Sequence, residues 1–308
     1  MAREYRIGTG GWGYFRVPRV APLAAYARMF DFVEVNSTFY HVPPLKKVEV
    51  WRRHVPDEFE FSVRAHQSIT HRYALKPVEE MFEMLERMRQ ICRVLRAEIL
   101  HLQLPPSFKP TKSSTDLQTF LSSTSFQNPR LALEFRSGLP IPSELVKTMR
   151  DHNVVHCTDL SRGETPAYES DILYSRLFGR GEHNIYQPTD KELVFIDRKA
   201  SESKSHKVVL SFHFVRMYKD AARLKVYKET GKFPMITQST GLDSFKKVLS
   251  EDARFPSTKQ ELIKDQGWKV FDLSENERIN VADFLDKLPE ATYNDVHEVT
   301  DTLKNLLR

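Results

Sequence analysis

The chain has 308 residues, of which 40% are hydrophobic and 28% are charged, so its composition is that of an ordinary globular protein. No run reaches the ~18 consecutive apolar residues of a membrane-spanning helix, and the first ten residues lack the apolar core of a secretory signal, so we expect a cytoplasmic protein without membrane contact. Two distant cysteines exclude a disulfide framework, and a net charge of +5 favours polyanionic partners.

Eight short β-rich segments alternate with helical patterns before residue 213. They cover residues 4–9, 32–36, 59–65, 98–104, 130–135, 154–159, 172–178 and 207–212. Helical spacing of apolar residues is clearest over 76–97, whereas the interval between the sixth and seventh segments has room only for a brief helix. Because eight such units in about 230 residues match a closed barrel, the sequence predicts an α/β fold, a (β/α)8 barrel of the TIM type.

The character of the sequence changes after residue 232. No convincing strand follows, and polar residues typical of helix starts precede amphipathic stretches. Ser257 or Thr258 before Glu261, and Ser274 before Glu277, have the spacing of helix caps. We therefore predict a barrel domain over 1–232 and a small C-terminal helical module over 233–308. These helices are expected to dock on the barrel or on a protein partner.

Polar side chains recur at alternate positions near the ends of the predicted strands. In the second strand Val33 and Val35 share one face, which leaves Glu34 and Asn36 on the other. If the strands close into a barrel, such residues point inward and meet at the mouth, where these barrels carry their sites. The same reasoning on the other strands predicts these mouth residues: Arg64, His101, Gln103, Glu134, Arg136, Cys157, Asp159, Arg176, Ser211 and His213.

This mixture of side chains suits an anionic ester as substrate. Arginine can grip phosphate with two hydrogen bonds, while carboxylates and imidazoles can serve as acid, base or metal ligand. Burying Glu34, Glu134 and Asp159 without partners is unfavourable, so we expect each of them to pair with an arginine, a metal or a ligand. A purely structural network of ion pairs inside the barrel is the competing interpretation.

The segment "GTGGWG" at residues 8–13 has the spacing of a dinucleotide-binding loop. Pro18 and Pro22, however, interrupt the helix that would have to open at once behind such a loop. The glycines are instead expected to let the loop bend around Trp12 at the mouth of the barrel.

Two further loops carry basic and imidazole groups. His66 and His71 follow the third strand, on a loop where histidines often have functional roles. The loop after the seventh strand lies where many barrels bind phosphate, and it carries Arg180, His183 and Tyr186.

Seven segments, in the right order between residues 4 and 230, resemble the YecE-like family, a domain of unknown function with the number seventy-two. They read "IGTGGWGY", "FVEVNSTFY", "FSVRAHQSITH", "LQLPPSF", "LALEFRSG", "YSRLFGRG" and the helix after "LSFHF". The resemblance implies a barrel related to those of endonuclease IV and xylose isomerase, without a settled activity. The positions typical of the family would be Glu34, Asn36, Tyr40, His71, Gln103, Glu134, Arg136 and Arg176, and most of them are also predicted by the strand periodicity.

The chain departs from the family pattern at two positions. Arg64 stands where relatives often have lysine, and Phe178 stands where many have histidine, so a mechanism that needs an imidazole there is in doubt. Residues from Phe255 onward are similar to a second small, uncharacterised helical module of prokaryotes.

The leading hypothesis is an enzyme that acts on a phosphate ester, above all a phosphodiester of DNA or RNA, with Mg²⁺, Mn²⁺ or Zn²⁺ as a candidate cofactor. Its predicted catalytic residues are Glu34, Glu134, His71 and His213, and its candidate metal ligands are Glu34, Glu134 and Asp159. Its predicted substrate-binding residues are Trp12, Asn36, Tyr40, Arg64, Gln103, Arg136, Arg176 and Arg180. The alternatives are a non-catalytic nucleic-acid-binding module and a small-molecule isomerase or lyase.

Overall fold

Eight parallel strands form the barrel that the sequence predicts. The computed structural model describes residues 3–112, 114–124, 126 and 128–307. The strands are β1 (Glu4–Thr9), β2 (Phe32–Val35), β3 (Glu60–Arg64), β4 (Ile99–Leu104), β5 (Arg130–Phe135), β6 (Val155–Cys157), β7 (Ile172–Leu177) and β8 (Lys207–Phe212). They are hydrogen-bonded in the order β6-β5-β4-β3-β2-β1-β8-β7, and a parallel bridge between Thr158 and Ser175 closes the sheet.

Helices connect most of these strands. They are α1 (Pro22–Tyr26), α2 (Leu45–Arg53), α3 (Glu79–Leu95), α4 (Ser114–Ser122), α5 (Ser143–Asp151), α6 (Asp190–Glu202) and α7 (Met217–Thr230). Between β6 and β7 the helical structure is limited to the short 3-10 helix Leu160–Arg162, in agreement with the brief interval in the sequence. Helix α6 was not predicted. In the described part of the chain, no helix combines the length and the apolar character needed to cross a membrane.

The chain divides into two compact units. One comprises Met1–Leu177 and Lys199–His213 and contains all eight barrel strands. The other comprises Phe178–Arg198 and Phe214–Arg308, and so includes α7 and most of α6 together with the C-terminal elements. The domain boundary after residue 232 stays a prediction.

Side chains inside the barrel change from apolar to polar along the strands. One layer of buried, mainly hydrophobic side chains consists of Phe32, Ile99, Ala132, Val155, Cys157, Ile172, Tyr174 and Val209. Because side chains alternate with a period of two, Glu34 follows Phe32 on the inward face and Glu134 follows Ala132. The register also sets Glu134 beside Gln103 and Cys157 on the neighbouring strands. The parallel sheet therefore carries its polar residues to the carboxyl ends of the strands.

The C-terminal part is mainly helical but contains two antiparallel strand pairs. Its helices are α8 (Gly241–Leu249), α9 (Lys259–Gln266), α10 (Ala282–Leu285) and α11 (Val296–Leu306), and its strands are β9 (Ser257–Thr258), β10 (Val270–Ser274), β11 (Glu277–Asn280) and β12 (Thr292–Tyr293). Strand β10 pairs with β11, and β12 with β9, so the prediction of no convincing strand was wrong.

The two predicted caps of this region have different outcomes. Thr258 begins α9 as predicted, because its side chain accepts a hydrogen bond from the Glu261 backbone N–H while the Glu261 carboxylate accepts one from the Thr258 backbone. Ser274 and Glu277 instead flank the turn of the β10–β11 hairpin. Polar residues at this spacing suit a tight turn as well as a helix start, so the prediction of a helix there was wrong.

Buried ion pairs connect α6, α7 and the β10–β11 hairpin within the second unit. Arg278 on β11 donates from Nε to Asp272 on β10 at 3.0 Å and from Nη1 to Asp190 of α6 at 3.1 Å. Asp190 also accepts a hydrogen bond from Nη2 of Arg223 on α7 at 2.7 Å. The Arg278 side chain is 2% exposed, so its loss would leave two carboxylates with little access to water.

Replacing Arg278 with leucine is expected to lower the free energy of unfolding by about 3–5 kcal/mol, because it removes one partner of a buried ion network. Lys191→Ala is the matched control, since Lys191 makes an exposed pair with Glu277, and such pairs contribute about 0–1 kcal/mol. Urea denaturation followed by circular dichroism measures both variants. Small and equal effects would show that the buried network does not stabilise this unit.

Candidate functional site

Two carboxylates from distant strands bind one guanidinium group inside the barrel. Nε and Nη2 of Arg176 on β7 donate to Oε2 and Oε1 of Glu34 on β2, both at 2.9 Å. Nη1 of the same arginine donates to Oε2 of Glu134 on β5 at 2.5 Å. The Arg176 side chain is 1% exposed and that of Glu34 is 0% exposed. Opposite charges that are buried so completely must compensate each other, because water cannot do so.

The buried charges shift the pKa values of both acids in the same direction. Burial alone would raise the pKa of Glu34, but Arg176 and then His213 outweigh it and hold this pKa well below its usual value. The pKa of Glu134 is likewise lowered against the effect of burial, chiefly by Arg176 and then by the neighbouring His101 imidazole. Both acids are therefore ionised at neutral pH.

Neutral and cationic groups complete the surroundings of the two acids. The Tyr174 hydroxyl donates to Oε2 of Glu34 at 2.6 Å, and burial together with Glu34 raises the tyrosine pKa, so the phenol stays protonated. Nε of Arg136 lies 2.5 Å from Oε1 of Glu134, and Nε2 of His101 lies 3.0 Å from Oε2. Sequence reasoning missed Tyr174, although it lies two residues before Arg176 on β7 and thus on the same inward face.

Arg64 on β3 is a buried guanidinium group held by neutral oxygens. Its Nη1 donates to Oδ1 of Asn36 at 2.7 Å and its Nη2 to Oε1 of Gln103 at 2.8 Å. The guanidinium carbon lies 3.6 Å from the ring centroid of Phe39. No described carboxylate lies within ion-pair distance of Arg64, and burial together with the positive charge of Arg176 lowers its pKa to about 10.

His213 lies next to the buried Glu34, and its ring accounts for the glycine at position 10 of the first loop. Its Nε2 lies 3.5 Å from Oε1 of Glu34 and 3.1 Å from Oγ of Ser211. A Cβ atom on Gly10 would approach the His213 ring to 2.2 Å, so only glycine leaves room for this imidazole. The pKa of His213 is lowered, because burial and Arg176 outweigh the attraction of Glu34.

His71 is the exposed imidazole of the site. It lies in a single π-helical turn, Ser68–Arg72, directly after β3, and such turns are frequent at functional sites. Its Nδ1 pairs with the Thr70 hydroxyl at 2.9 Å, and its ring meets Phe39 edge-on at 5.3 Å. Partial burial and the charge of Arg64 lower the pKa of His71, so the imidazole is neutral at pH 7.

Most of the predicted site residues come together in one cluster. Direct contacts connect Glu34, Asn36, Arg64, Gln103, Glu134, Arg136, Arg176 and His213. Tyr40 and His71 both contact the ring of Phe39. The Arg64 guanidinium group stacks on the same ring.

Three predicted site residues have other surroundings. Trp12 packs edge-on against Trp51 of α2 at 5.2 Å. Asp159 caps the 3-10 helix after β6 by accepting a hydrogen bond from the Ser161 backbone N–H at 2.9 Å. Arg180 belongs to the second unit. The functional roles of all the predicted residues stay predictions.

One group of metal-ligand side chains converges in the described part of the chain. The donor atoms of His101, Glu134 and Cys157 lie within 4.8 Å of one another, and neither Glu34 nor Asp159 belongs to this group. Thiol and imidazole donors are softer than those that Mg²⁺ or Mn²⁺ prefers. Burial and Glu134 raise the pKa of the Cys157 thiol well above its usual value, and Arg176 and Arg136 already contact both oxygens of Glu134. This donor set therefore does not fit Mg²⁺ or Mn²⁺.

The fold and the cluster define a (β/α)8 barrel protein with charged residues at the carboxyl ends of its strands. The chain belongs to the DUF72 family, described as "Protein of unknown function DUF72", whose family model matches residues 6–229. The expected resemblance to the YecE-like family is thereby confirmed. The similarity of the residues after Phe255 to a second module stays a prediction.

Individual relatives agree with this assignment. UPF0759 protein YunF of Bacillus subtilis (strain 168) is 27% identical over 205 residues, which is 59% of this chain and 72% of YunF. UPF0759 protein YecE of Escherichia coli (strain K12) is 34% identical over 107 residues, which is 34% of this chain and 39% of YecE. A crystal structure of a DUF72 family protein from Enterococcus faecalis V583 has a TM-score of 0.58 at 18% identity, over 74% of this chain and 98% of that chain, and shows the same fold.

Replacing Arg176 with methionine is expected to lower the free energy of unfolding by about 3–5 kcal/mol at pH 7, because two buried carboxylates lose their main partner. In the wild type, the depressed pKa values of Glu34 and Glu134 give stability that is present above the usual glutamate pKa of 4.5 and is lost as the pH falls toward the depressed values. In the variant the two acids lack this stabilising partner, so their protonation at low pH costs little stability. The difference in the free energy of unfolding between wild type and variant is therefore expected to shrink below pH 4.5.

Denaturant titrations at several pH values measure this difference. Arg136→Met is the control, since Arg136 is 25% exposed and contacts only one of the two acids. A deficit of the Arg176 variant that does not change with pH would contradict the proposed charge compensation.

Proposed function

We propose that the mouth of the barrel binds the phosphate of a nucleic-acid phosphodiester and that the protein hydrolyses this ester. The observation that carries the proposal is Arg64, a guanidinium group that is 6% exposed and bound by the amide oxygens of Asn36 and Gln103. A guanidinium group without a carboxylate partner offers its full charge and its remaining N–H groups to an anion.

The charge balance of the cluster supports the same proposal. Arg176 pairs with Glu34 and Glu134, and Arg136 pairs with Glu134, whereas the described hydrogen bonds of Arg64 go to amide oxygens. An anion would balance the charge of Arg64. The net charge of +5 and the isoelectric point near 9.0 favour a polyanion over a small carboxylate as the source of that anion.

The side chains around Arg64 suit phosphodiester hydrolysis. In this reaction water adds to phosphorus, and the bond from phosphorus to the leaving sugar oxygen breaks. In the proposed mechanism the neutral imidazole of His71 accepts the proton of the water, and the leaving oxygen takes a proton from solvent. Arg64 and Arg136 stabilise the charge that develops on the non-bridging oxygens. Glu34 and Glu134 hold Arg176, which prevents them from acting as free bases.

Arg64→Gln is expected to weaken binding of a fluorescein-labelled oligonucleotide by about ten- to a hundredfold, the effect of losing charge-assisted hydrogen bonds. It is also expected to reduce the slope of log affinity against log salt concentration by about one. Fluorescence anisotropy across a series of salt concentrations measures both quantities.

Arg93→Gln is the matched control for this experiment. It removes the same charge from the surface of α3, where Arg93 pairs with Glu86 and is 59% exposed. Equal weakening by the two substitutions would mean that overall charge, and not a built anion site, controls binding.

Cleavage of single- and double-stranded DNA and RNA tests the catalytic part of the proposal, in EDTA and with added Mg²⁺, Mn²⁺ or Zn²⁺. We expect His71→Ala to lower the rate by about 10²–10⁴-fold, the usual contribution of a general base. Glu134→Gln is expected to lower the rate as well, because it loosens Arg176 and Arg136. His54→Ala is the control, since His54 ends α2 and is exposed. No cleavage by the wild type would reject a nuclease. Cleavage that is undiminished in both the His71 and the Glu134 variants would show that the activity does not belong to this site.

A non-catalytic nucleic-acid-binding module is the second candidate. The observation that favours it is the compensation of both carboxylates by Arg176, which leaves neither acid free for chemistry. Such a module would bind oligonucleotides with the same dependence on Arg64 but would cleave none of them.

A further inference from the structure

Exposed aromatic rings are rare on the described surface of this protein. Among its large hydrophobic side chains with high exposure, the aromatic ones are Tyr14, at 85%, and Tyr40, at 67%. A ring of this size is usually at least half buried in a folded chain, because removing its apolar faces from water is favourable. Large exposed apolar groups therefore suggest contact with another molecule when they lie beside a binding group.

Tyr40 and Arg64 both contact the ring of Phe39. It directly follows the 3-10 helix Ser37–Phe39, and its backbone N–H donates to the Ser37 carbonyl at 3.1 Å. Its ring meets the buried Phe39 edge-on, with centroids 5.0 Å apart and planes at 85°. The same Phe39 ring carries the Arg64 guanidinium group at 3.6 Å. One buried ring thus fixes the positions of an exposed phenol and an uncompensated cation.

A planar ring next to a cation matches the chemistry of a nucleotide. The phosphate of a nucleotide is an anion for Arg64, and its base has a flat face that can stack on a tyrosine. In a duplex both faces of each base are covered by neighbouring bases, whereas in a single strand they are accessible. Duplex recognition would instead call for side chains that enter a groove.

We propose that Tyr40 stacks against an unpaired base while Arg64 holds the adjoining phosphate, so that the ligand of this mouth is single-stranded nucleic acid. This inference rests on the proposed function, because it needs Arg64 to bind phosphate. Since every base has a stacking face, binding through Tyr40 is tolerant of sequence. DNA and RNA share this chemistry, and parallel measurements on both distinguish them.

The test uses the full chain and fluorescence anisotropy with four labelled probes of about 20 nucleotides. They are an oligothymidylate, an oligouridylate, a DNA duplex, and an abasic strand that keeps the sugars and phosphates but lacks the bases. Tyr40→Ala removes the ring, and Tyr40→Phe keeps the ring but removes the hydroxyl group. Tyr14→Ala is the matched control, because its loop packs through Trp12 and Phe15 against Trp51 and Tyr26.

We expect Tyr40→Ala to weaken binding of the base-containing single strands by about tenfold, the usual effect of losing one base–aromatic stack. Tyr40→Phe and Tyr14→Ala should bind like the wild type. The abasic strand and the duplex should bind more weakly than the oligothymidylate, and Tyr40→Ala should not change their affinity.

Two outcomes would overturn this inference while the proposed function stands. In the first, Arg64→Gln weakens binding of the oligothymidylate but Tyr40→Ala does not. In the second, Tyr40→Ala weakens the abasic strand as much as the oligothymidylate, which would indicate a change in the phosphate site and no stacking. Failure of all four probes to bind would overturn both the inference and the proposed function.

Discussion

The barrel interior depends on the compensation of Arg176 by Glu34 and Glu134. These three groups come from β7, β2 and β5, so their contacts exist only when the sheet is closed and each strand is in register. A slip of one residue in β2 would turn Glu34 outward and leave the guanidinium group with an unpaired positive charge inside the protein. The ion cluster therefore adds specificity to a fold whose stability comes mainly from its apolar layers.

The buried arginines of the cluster have two kinds of partner. Arg176 is balanced by the carboxylates of Glu34 and Glu134, whereas Arg64 is bound by amide oxygens. Gln103 links the two arginines, because its Oε1 atom accepts hydrogen bonds from Nη2 of Arg64 at 2.8 Å and from Nη1 of Arg176 at 3.1 Å. Its neutral oxygen brings two like charges close together without neutralising either. A glutamate at this position would supply the missing counter-charge, and the mouth would no longer attract an anion.

The sequence predicts the barrel and most of its inward polar residues, because both depend on a local period of two. It cannot predict how those residues pair, since the pairing depends on register between strands that are far apart in the chain. Glu34, Glu134 and Arg176 make the mutual ion pairs that a structural network would have. The proposed function therefore rests mainly on Arg64 and its neighbours. Tyr174 was missed because a tyrosine in a β-rich segment is expected in any strand. Ser274 and Glu277 were misassigned because helix caps and hairpin turns use the same polar residues.

Within the second unit, buried ion pairs connect residues on both sides of the predicted domain boundary at residue 232. The sequence has no predicted β-rich segment after residue 232, but an ion pair still connects residues on the two sides of this position. Asp190 of α6 shares its two oxygens between Arg223 of α7 and Arg278 of the C-terminal hairpin. A chain cut after residue 232 would keep Asp190 and Arg223 but lose Arg278, which binds Asp190 from the other side. Since a buried carboxylate needs its partners, helices α6 and α7 of the (β/α) pattern depend on residues that lie far beyond it in sequence.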